Sequence, residues 1–398
     1  MIWAEDGNIF ISSALEHGGF TSLFKPYAGY LHFLPRIAAS VVVNMFDVAN
    51  YASAMTVLAC LAVAAVSLMT FYCSDALTDA LWVRAAWAGI PILVNVGAVE
   101  TLGNFANLHW YLLWLTPWLL LKHPRSALEG TLLGAAAAAV SLTEIIAIVF
   151  LPLMLFRFKN KAYWYARLGL LGGLGCQLYT TLTYPRPSGS DYDVNPVSLL
   201  LGWAINTAGP IFYGNARTVL QLVLTYGNIP LLLAALVLAG IIVLAFSLGS
   251  PHERLMVALF TSASAIVYTA CVIANRSIFF DYAIFDNKDW LEYFSFTRYS
   301  VVPTMFTLAI VPALALTLKR KISGSQPLVL TAFFLLLTTM YFIPGTNRDG
   351  GPLWAEQVNQ ARSVCDSDQH STVVLKVSPH FYDGDMVLTC DVLKAPKK

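Results

Sequence analysis

Apolar residues in this chain come mostly in long unbroken runs, not in the alternating or striped patterns of a soluble fold. A helix needs about 20 consecutive apolar residues to cross a bilayer. Such runs lie at roughly 51–73, 84–99, 104–121, 163–183, 228–248, 255–273, 298–318 and 327–344. They predict an all-α polytopic membrane protein with about eight transmembrane helices. One further apolar stretch, 127–156, is broken near Ser141, Leu142, Thr143 and Glu144. By pattern alone it is either one tilted span or a hairpin of two short ones. Ahead of the first run, NIFISSALEH sets Ile9, Phe10, Ser13, Ala14 and His17 at helical spacing, and LHFLPRIAASVVVNMF is apolar but carries Arg36. Both predict helices lying along the membrane interface. After the last run, STVVLKV and DMVLTC alternate as paired strands do, predicting a small C-terminal α/β tail.

Charge orients these elements. With 127–156 as a hairpin, one set of loops collects Arg84, Lys122, Arg125, Arg157, Lys159, Lys161, Arg167, Arg254, Lys319, Arg320 and Lys321, against Asp75, Asp79 and Glu253. Basic excess marks cytoplasmic loops, so the hairpin is the better reading. A single span would throw Arg157, Lys159 and Lys161 to the opposite side. Three parts follow: an extracytoplasmic and interfacial segment 1–50, a bundle 51–344, and a small extracytoplasmic domain 345–398. The short turn 100–103 and the loops 184–227 and 274–297 face out with the first and last of these. Cys365 and Cys390 flank the tail's strand-like runs and predict a disulfide, which needs an oxidising compartment. Cys60, Cys73, Cys176 and Cys271 sit in or beside apolar runs and read as packing residues.

Composition narrows the class. Of 398 residues, 57% are hydrophobic and 12% charged. That is about half the charge of a soluble domain, which excludes an ordinary globular protein. Lys and Arg total 24 against 23 Asp and Glu, so no basic surface for nucleic acid is implied. No Walker motif, paired-cysteine zinc motif or GxSxG elbow is present, which disfavours nucleotide-driven transport and serine hydrolysis. No cleavable signal peptide is legible at the start, and no crossing precedes Glu5.

The acidic pair Glu5 and Asp6, followed by interfacial helices and many spans, resembles the polytopic C-type (GT-C) glycosyltransferases. More narrowly, EDGNIFISSALEHG with PYAGYLHFLPR, NFANLHWYLLW and TRYSVVP resembles a family of actinobacterial membrane proteins. That family's pattern opens with a transmembrane helix, where this chain departs from it. The resemblance implies an integral protein of the bacterial plasma membrane with its active face outside. It would transfer a sugar from a polyprenyl-phosphate donor to a glycan, lipid or protein acceptor of the envelope. The alternatives are a non-catalytic transporter of lipid-linked glycans and an envelope polysaccharide polymerase.

Such a transfer needs a carboxylate to take the acceptor's proton. The resemblance assigns this base to the acidic motif, with Asp6 first and Glu5 second. A lone carboxylate without a covalent intermediate implies inversion. Arg298 and Arg36 are the candidates to hold the lipid phosphate, because a guanidinium forks onto phosphate oxygens. Tyr299 and His109 join them as donor-binding candidates, with Lys25 and His32 as weaker companions. Glu100, Asn104 and Asn107 fall at helical spacing near a span end and are candidates for sugar or acceptor hydroxyls. Glu144, an ionisable group deep in an apolar stretch, is either a further member of that site or a hydrogen-bonded structural acid. Asp191 and Asp193, with Asp281, Asp286, Asp289 and Glu292, lie on predicted outer loops. Carboxylates of this kind can take a divalent cation, but the spacing matches no calcium loop, so no metal or other cofactor is assigned.

Overall fold

The computed structural model describes residues 1–186, 193–341, 346–347, 351–367, 371–379 and 384–395. Residues 6–11 form a wide helical turn that continues into α1 (Ser12–His17), followed by α2 (Gly19–Ser22) and α3 (Phe33–Met45). The bundle begins with α4 (Tyr51–Cys73). It continues through α5 (Leu81–Leu93), α6 (Asn95–Glu100), α7 (Leu108–Leu121) and α8 (Ala127–Ser141). A 3₁₀ segment at 145–155 leads to α9 (Trp164–Thr183). Next come α10 (Pro196–Tyr213), α11 (Ala216–Tyr226), α12 (Ile229–Leu248), α13 (Pro251–Ala274) and the short α14 (Asn287–Tyr293). The bundle closes with α15 (Val301–Leu308), α16 (Ile310–Lys319) and α17 (Ser325–Tyr341). The tail holds α18 (Trp354–Ser367), the antiparallel pair β1 (Thr372–Leu375) and β2 (Met386–Thr389), and α19 (Cys390–Lys394).

Among the described residues five helical stretches are long and apolar enough to cross a membrane: Val48–Ala76, Leu81–Glu100, Ile229–Leu248, Pro251–Ala274 and Arg298–Lys319. Of the three other expected crossings, 327–344 corresponds to the 17-residue α17, shorter than a full span, and the other two differ for identifiable reasons. Helix α7 has 14 residues, about 21 Å of rise against the roughly 30 Å of a bilayer core. All of its side chains are buried, so it is the bundle's inner strut. The fourth expected crossing is α9, which is long enough, but its glycines, Arg167 and Gln177 lower its hydropathy. The hairpin reading of 127–156 matches the chain path: α8 ends at Ser141, the chain turns at Leu142–Glu144, and the second limb is 3₁₀. Pro152 lies within that limb and denies an α-helix one of its ladder donors.

Glycine packs the two limbs together. A Cβ on Gly169 of α9 would fall 2.0 Å from the Gly134 carbonyl oxygen of α8, and one on Gly173 would fall 2.0 Å from Ser141 Oγ. Only bare backbone permits that approach, as at other close membrane-helix contacts. The core around α7 is aromatic, with Trp87, Trp114, Trp118, Phe260 and Phe306 in mutual contact. Its indole donors are matched where they meet a polar group: Trp87 donates to the Ala309 carbonyl (2.9 Å) and Trp114 to Thr70 Oγ1 (3.0 Å). Outward, α4, α12 and α17 present exposed Leu61, Leu68, Leu236, Val243, Leu328 and Leu335. An apolar exterior is what lipid, and not water, requires.

The loops that the charge pattern groups together do meet at one end. There Lys122 Nζ reaches both Asp75 oxygens (2.7 and 2.8 Å), Arg125 joins the same carboxylate (2.7 Å), and Tyr72 donates to Glu129 (2.7 Å). Arg320 pairs with Glu253, and Arg84 donates to the Phe71 carbonyl. At the other end the tail clasps the N-terminus. Ala4 N–H donates to the Ser378 carbonyl (2.7 Å), and Ser378 N–H donates to that of Ile2 (2.9 Å). Trp354 Nε1 donates to the Val48 carbonyl (2.7 Å), and Arg362 pairs with Asp47 (3.0 Å). Cys365 and Cys390 are joined as a disulfide across a 5.6 Å Cα separation. Cys73 and Cys271 are buried, whereas Cys60 and Cys176 lie on the apolar exterior.

Candidate active site

The end clasped by the tail holds two adjoining cavities. The larger, about 930 Å³, has Trp3, Glu100, Arg276, Phe279 and Phe280 in its walls. The smaller, about 320 Å³, is bordered by Tyr27, Tyr30, His32, Asn107, His109 and Glu144. Glu5, Arg186, Asn275, Arg298 and Tyr299 line both. Residues from the first turn, the α6–α7 turn, the hairpin tip, the end of α9, the end of α13 and the start of α15 thus share one space.

The two N-terminal acids part company here. Asp6 is 1% exposed, and its carboxylate accepts hydrogen bonds from the backbone N–H groups of Phe105 (3.0 Å) and Ala106 (2.7 Å). It lines neither cavity. Glu5 is half-buried and lines both, and among the described residues no hydrogen bond occupies its carboxylate. The order expected from the motif, Asp6 ahead of Glu5, therefore reverses on geometry. Asp6 is a loop anchor, and Glu5 is the acid that faces open space.

Arg298 precedes α15 at the foot of a 3₁₀ turn. Glu100 accepts from its backbone N–H (2.9 Å) and from its Nη1 (3.0 Å), which fixes the guanidinium against the cavity wall. Tyr299 is wedged edge-on against Trp110 and Phe280. Arg36 does not join them. It is 2% exposed, donates to Ser13 Oγ (3.2 Å), lies over the Phe10 ring and lines neither cavity. It pins α3 beneath the first turn, away from the cavities where a lipid phosphate is expected to meet it. Lys25 also lies outside both cavities.

Glu100, Asn104 and Asn107 do not share one helix, because α6 ends at Glu100 and α7 starts at Leu108. Asn104 folds the turn between them. Its Nδ2 donates to the Glu100 carbonyl (2.7 Å), and its Oδ1 accepts from Asn107 N and Nδ2 (both 2.9 Å). Only Glu100 and Asn107 reach the cavities. Glu144 sits at the hairpin tip, where its Oε1 accepts from Ile146 N–H (2.6 Å) and its Oε2 is hydrogen-bonded to His109 Nδ1. It therefore holds the hairpin and faces the smaller cavity at once. His109 borders the same cavity, and the bond to Glu144 uses its Nδ1.

Burial tunes the neighbours. The Tyr30 phenol is pushed well above its usual range by burial and then by the Glu144 charge, so it stays a hydrogen-bond donor. His32 is held well below its usual range by burial and by its neighbours His109 and Arg36, and stays neutral. Burial raises Tyr282 to about 12.

The outer-loop acids are otherwise engaged. Asp281 accepts from Ser198 Oγ, while Asp286 and Asp289 form the capping box of α14. Asp193 and Glu292 line neither cavity, and Asp191 falls outside the described residues. Among the described residues no three His, Cys, Asp or Glu side chains group as metal ligands do.

Arg186, Asn275 and Arg276 border the cavities but carry no motif in the sequence, and Tyr30 sits unmarked inside the stretch PYAGYLHFLPR. Arg186 Nη1 donates to Asn275 Oδ1 (3.0 Å), bridging the ends of α9 and α13. Its setting between two prolines (YPRP), just past an apolar run, is the one legible signal. No family model matches the chain, and neither does any curated protein or solved structure.

Proposed function

We propose that the protein is a membrane glycosyltransferase that moves a sugar from a polyprenyl-phosphate donor to an envelope acceptor on the extracytoplasmic face. One observation carries the reading: the Glu5 carboxylate, not tied down by hydrogen bonds among the described residues, and the Arg298 guanidinium border the same pair of cavities. In the proposed reaction Glu5 takes the proton of the acceptor hydroxyl as that oxygen bonds to the anomeric carbon. The bond from that carbon to the donor phosphate oxygen breaks, and its electron pair leaves with the phosphate. Arg298, oriented by Glu100, and Arg186 neutralise the charge that develops there, the kind of preorganised stabilisation that dominates many rate enhancements. A single displacement inverts the centre. The reading needs no metal step and leaves open whether the acceptor is a glycan, a lipid or a protein.

The test is Glu5→Gln in the full chain reconstituted with lipid-linked sugars. Loss of a general base lowers turnover by about 10²–10⁴-fold, and donor binding should persist because the arginines are untouched. Undiminished sugar transfer by Glu5→Gln would sink the assignment of the base. Passage of the lipid-linked glycan across the bilayer with no transfer, equal in both proteins, would support the transporter alternative instead.

A further inference from the structure

We infer that the loop between the hairpin's second limb and α9, residues 156–167, binds the headgroup of an anionic phospholipid in the cytoplasmic leaflet. This site lies at the basic end of the bundle, opposite the cavities, and does not rest on the transferase reading. Between Glu144 and Asp191 the chain holds no carboxylate, yet FRFKNKAYWYAR brings Arg157, Lys159, Lys161 and Arg167 together. The His123 ring packs against Tyr163 (5.4 Å between centroids), which sets the loop beside the Lys122–Asp75 cluster.

Pairing sets these cations apart from their neighbours. Lys122 and Arg125 share Asp75, Arg320 holds Glu253, and Arg84 and Arg254 donate to backbone carbonyls. Arg157, Lys159 and Lys161 are exposed, and among the described residues none of the three meets a carboxylate. They crowd the start of α9, whose first turn carries no acid and whose N-terminal end is itself positive. An anion at this point relieves like-charge repulsion that the protein leaves uncompensated.

The loop is held in shape. Asn160 N–H donates to the Arg157 carbonyl (2.9 Å), and Asn160 Oδ1 accepts from Ala162 N–H (3.0 Å). Trp164 Nε1 donates to the Phe158 carbonyl (3.1 Å). Arg167 is fully buried, donates Nη2 to the Phe156 carbonyl and lies over the Tyr163 and Trp164 rings. Its Nε and Nη1 have no partner among the described residues, so no acid neutralises the loop from within. Around it Leu155, Phe158, Tyr165 and Leu168 are exposed, an aromatic and apolar collar of the kind that settles at headgroup level. The cations therefore stand where lipid phosphates lie, with leucines beside them for the acyl chains. Lys319 and Lys321 are exposed too, but they flank an arginine already matched by Glu253, in a loop without aromatic residues.

The experiment measures lipid binding to the full chain in detergent by native mass spectrometry. Phosphatidylglycerol should bind more tightly than phosphatidylcholine, and the preference should shrink as salt rises. Lys159→Gln/Lys161→Gln should weaken phosphatidylglycerol binding about twentyfold, from roughly fivefold for each cation near anionic lipid. Lys319→Gln/Lys321→Gln, which removes the same charge, should change it little. Thermal midpoints in the same detergent show that both variants are folded. Equal binding of the two lipids would remove the charge preference, and equal losses in the two double variants would make it a property of any lysines at this end. Full competition by free glycerol 3-phosphate would make the site one for soluble phosphate. Each of these results overturns the inference and leaves the transferase reading untouched.

Discussion

Glu5 and Asp6 are neighbours whose side chains leave a helical turn roughly 100° apart, and that angle divides their work. Asp6 is directed at two backbone donors that start the turn into α7. Asp6→Asn keeps one acceptor oxygen but swaps the other for an amide that cannot accept. Leaving a buried donor unmatched costs about 1–3 kcal/mol, so the variant should melt earlier in detergent. Its farnesyl phosphate affinity should change little. A melting point equal to the parent's would contradict the anchoring role. His32 gives a pH-dependent companion. Its unfolded form titrates near 6.5, while burial keeps the folded form neutral to much lower pH. Below about 6.5 the unfolded chain binds the proton first, so His32 subtracts stability as pH falls and contributes its full share above. The slope is at most about 1.4 kcal/mol per pH unit. Melting scans at pH 7.5 and 5.5 should show a larger acid loss in the parent than in His32→Gln; equal losses would refute it. At this scale the sequence announces that the acidic pair matters but not which acid is free, because adjacency carries no direction. Arg36 misleads for a related reason: an arginine in an apolar helix looks the same whether it faces a ligand or the Phe10 ring.

At the scale of elements, legibility follows length. The long runs become α4, α12, α13 and the α15–α16 stretch, because in lipid a backbone must satisfy its own hydrogen bonds. The 14-residue α7 reads as a crossing because its apolar letters extend ahead of its true start; the turn at 101–107 is made by Asn104's side-chain hydrogen bonds, which no periodicity encodes. The hairpin is readable from charge, but its glycine seam with α9 is not, since spacing alone does not say which glycines face a neighbour. That seam makes a controlled comparison possible. Gly169→Leu must push α8 and α9 apart, an overpacking that costs roughly 1–3 kcal/mol or more. At Gly172, one turn away, a Cβ would meet nothing within 4 Å. Gly169→Leu should therefore lose several degrees of thermal midpoint and Gly172→Leu almost none. Equal behaviour would mean the seam is not tight.

For the whole molecule, the issue is which end meets which compartment. One end concentrates Arg84, Lys122, Arg125 and Arg320 around a few acids, and the other holds the cavities, the clasped N-terminus and the Cys365–Cys390 disulfide. Two unrelated rules then agree. Basic loops stay in the cytoplasm, and a disulfide persists where thiols are oxidised. Together they predict that the cavities open outside, which the proposed transfer also needs, since a polyprenyl-linked donor used in the envelope must be met there. The expectation is testable without any substrate. With Cys60 and Cys176 replaced by serine, a cysteine at Lys288 in the short α14 should react with a membrane-impermeant maleimide on intact cells. One at Lys159, beyond the hairpin's second limb, should react only after the cells are opened. Both side chains are exposed, so reactivity reports sidedness and not burial. The reversed pattern would turn Glu5 and Arg298 toward the cytosol, and transfer to an external acceptor would have no face on which to occur.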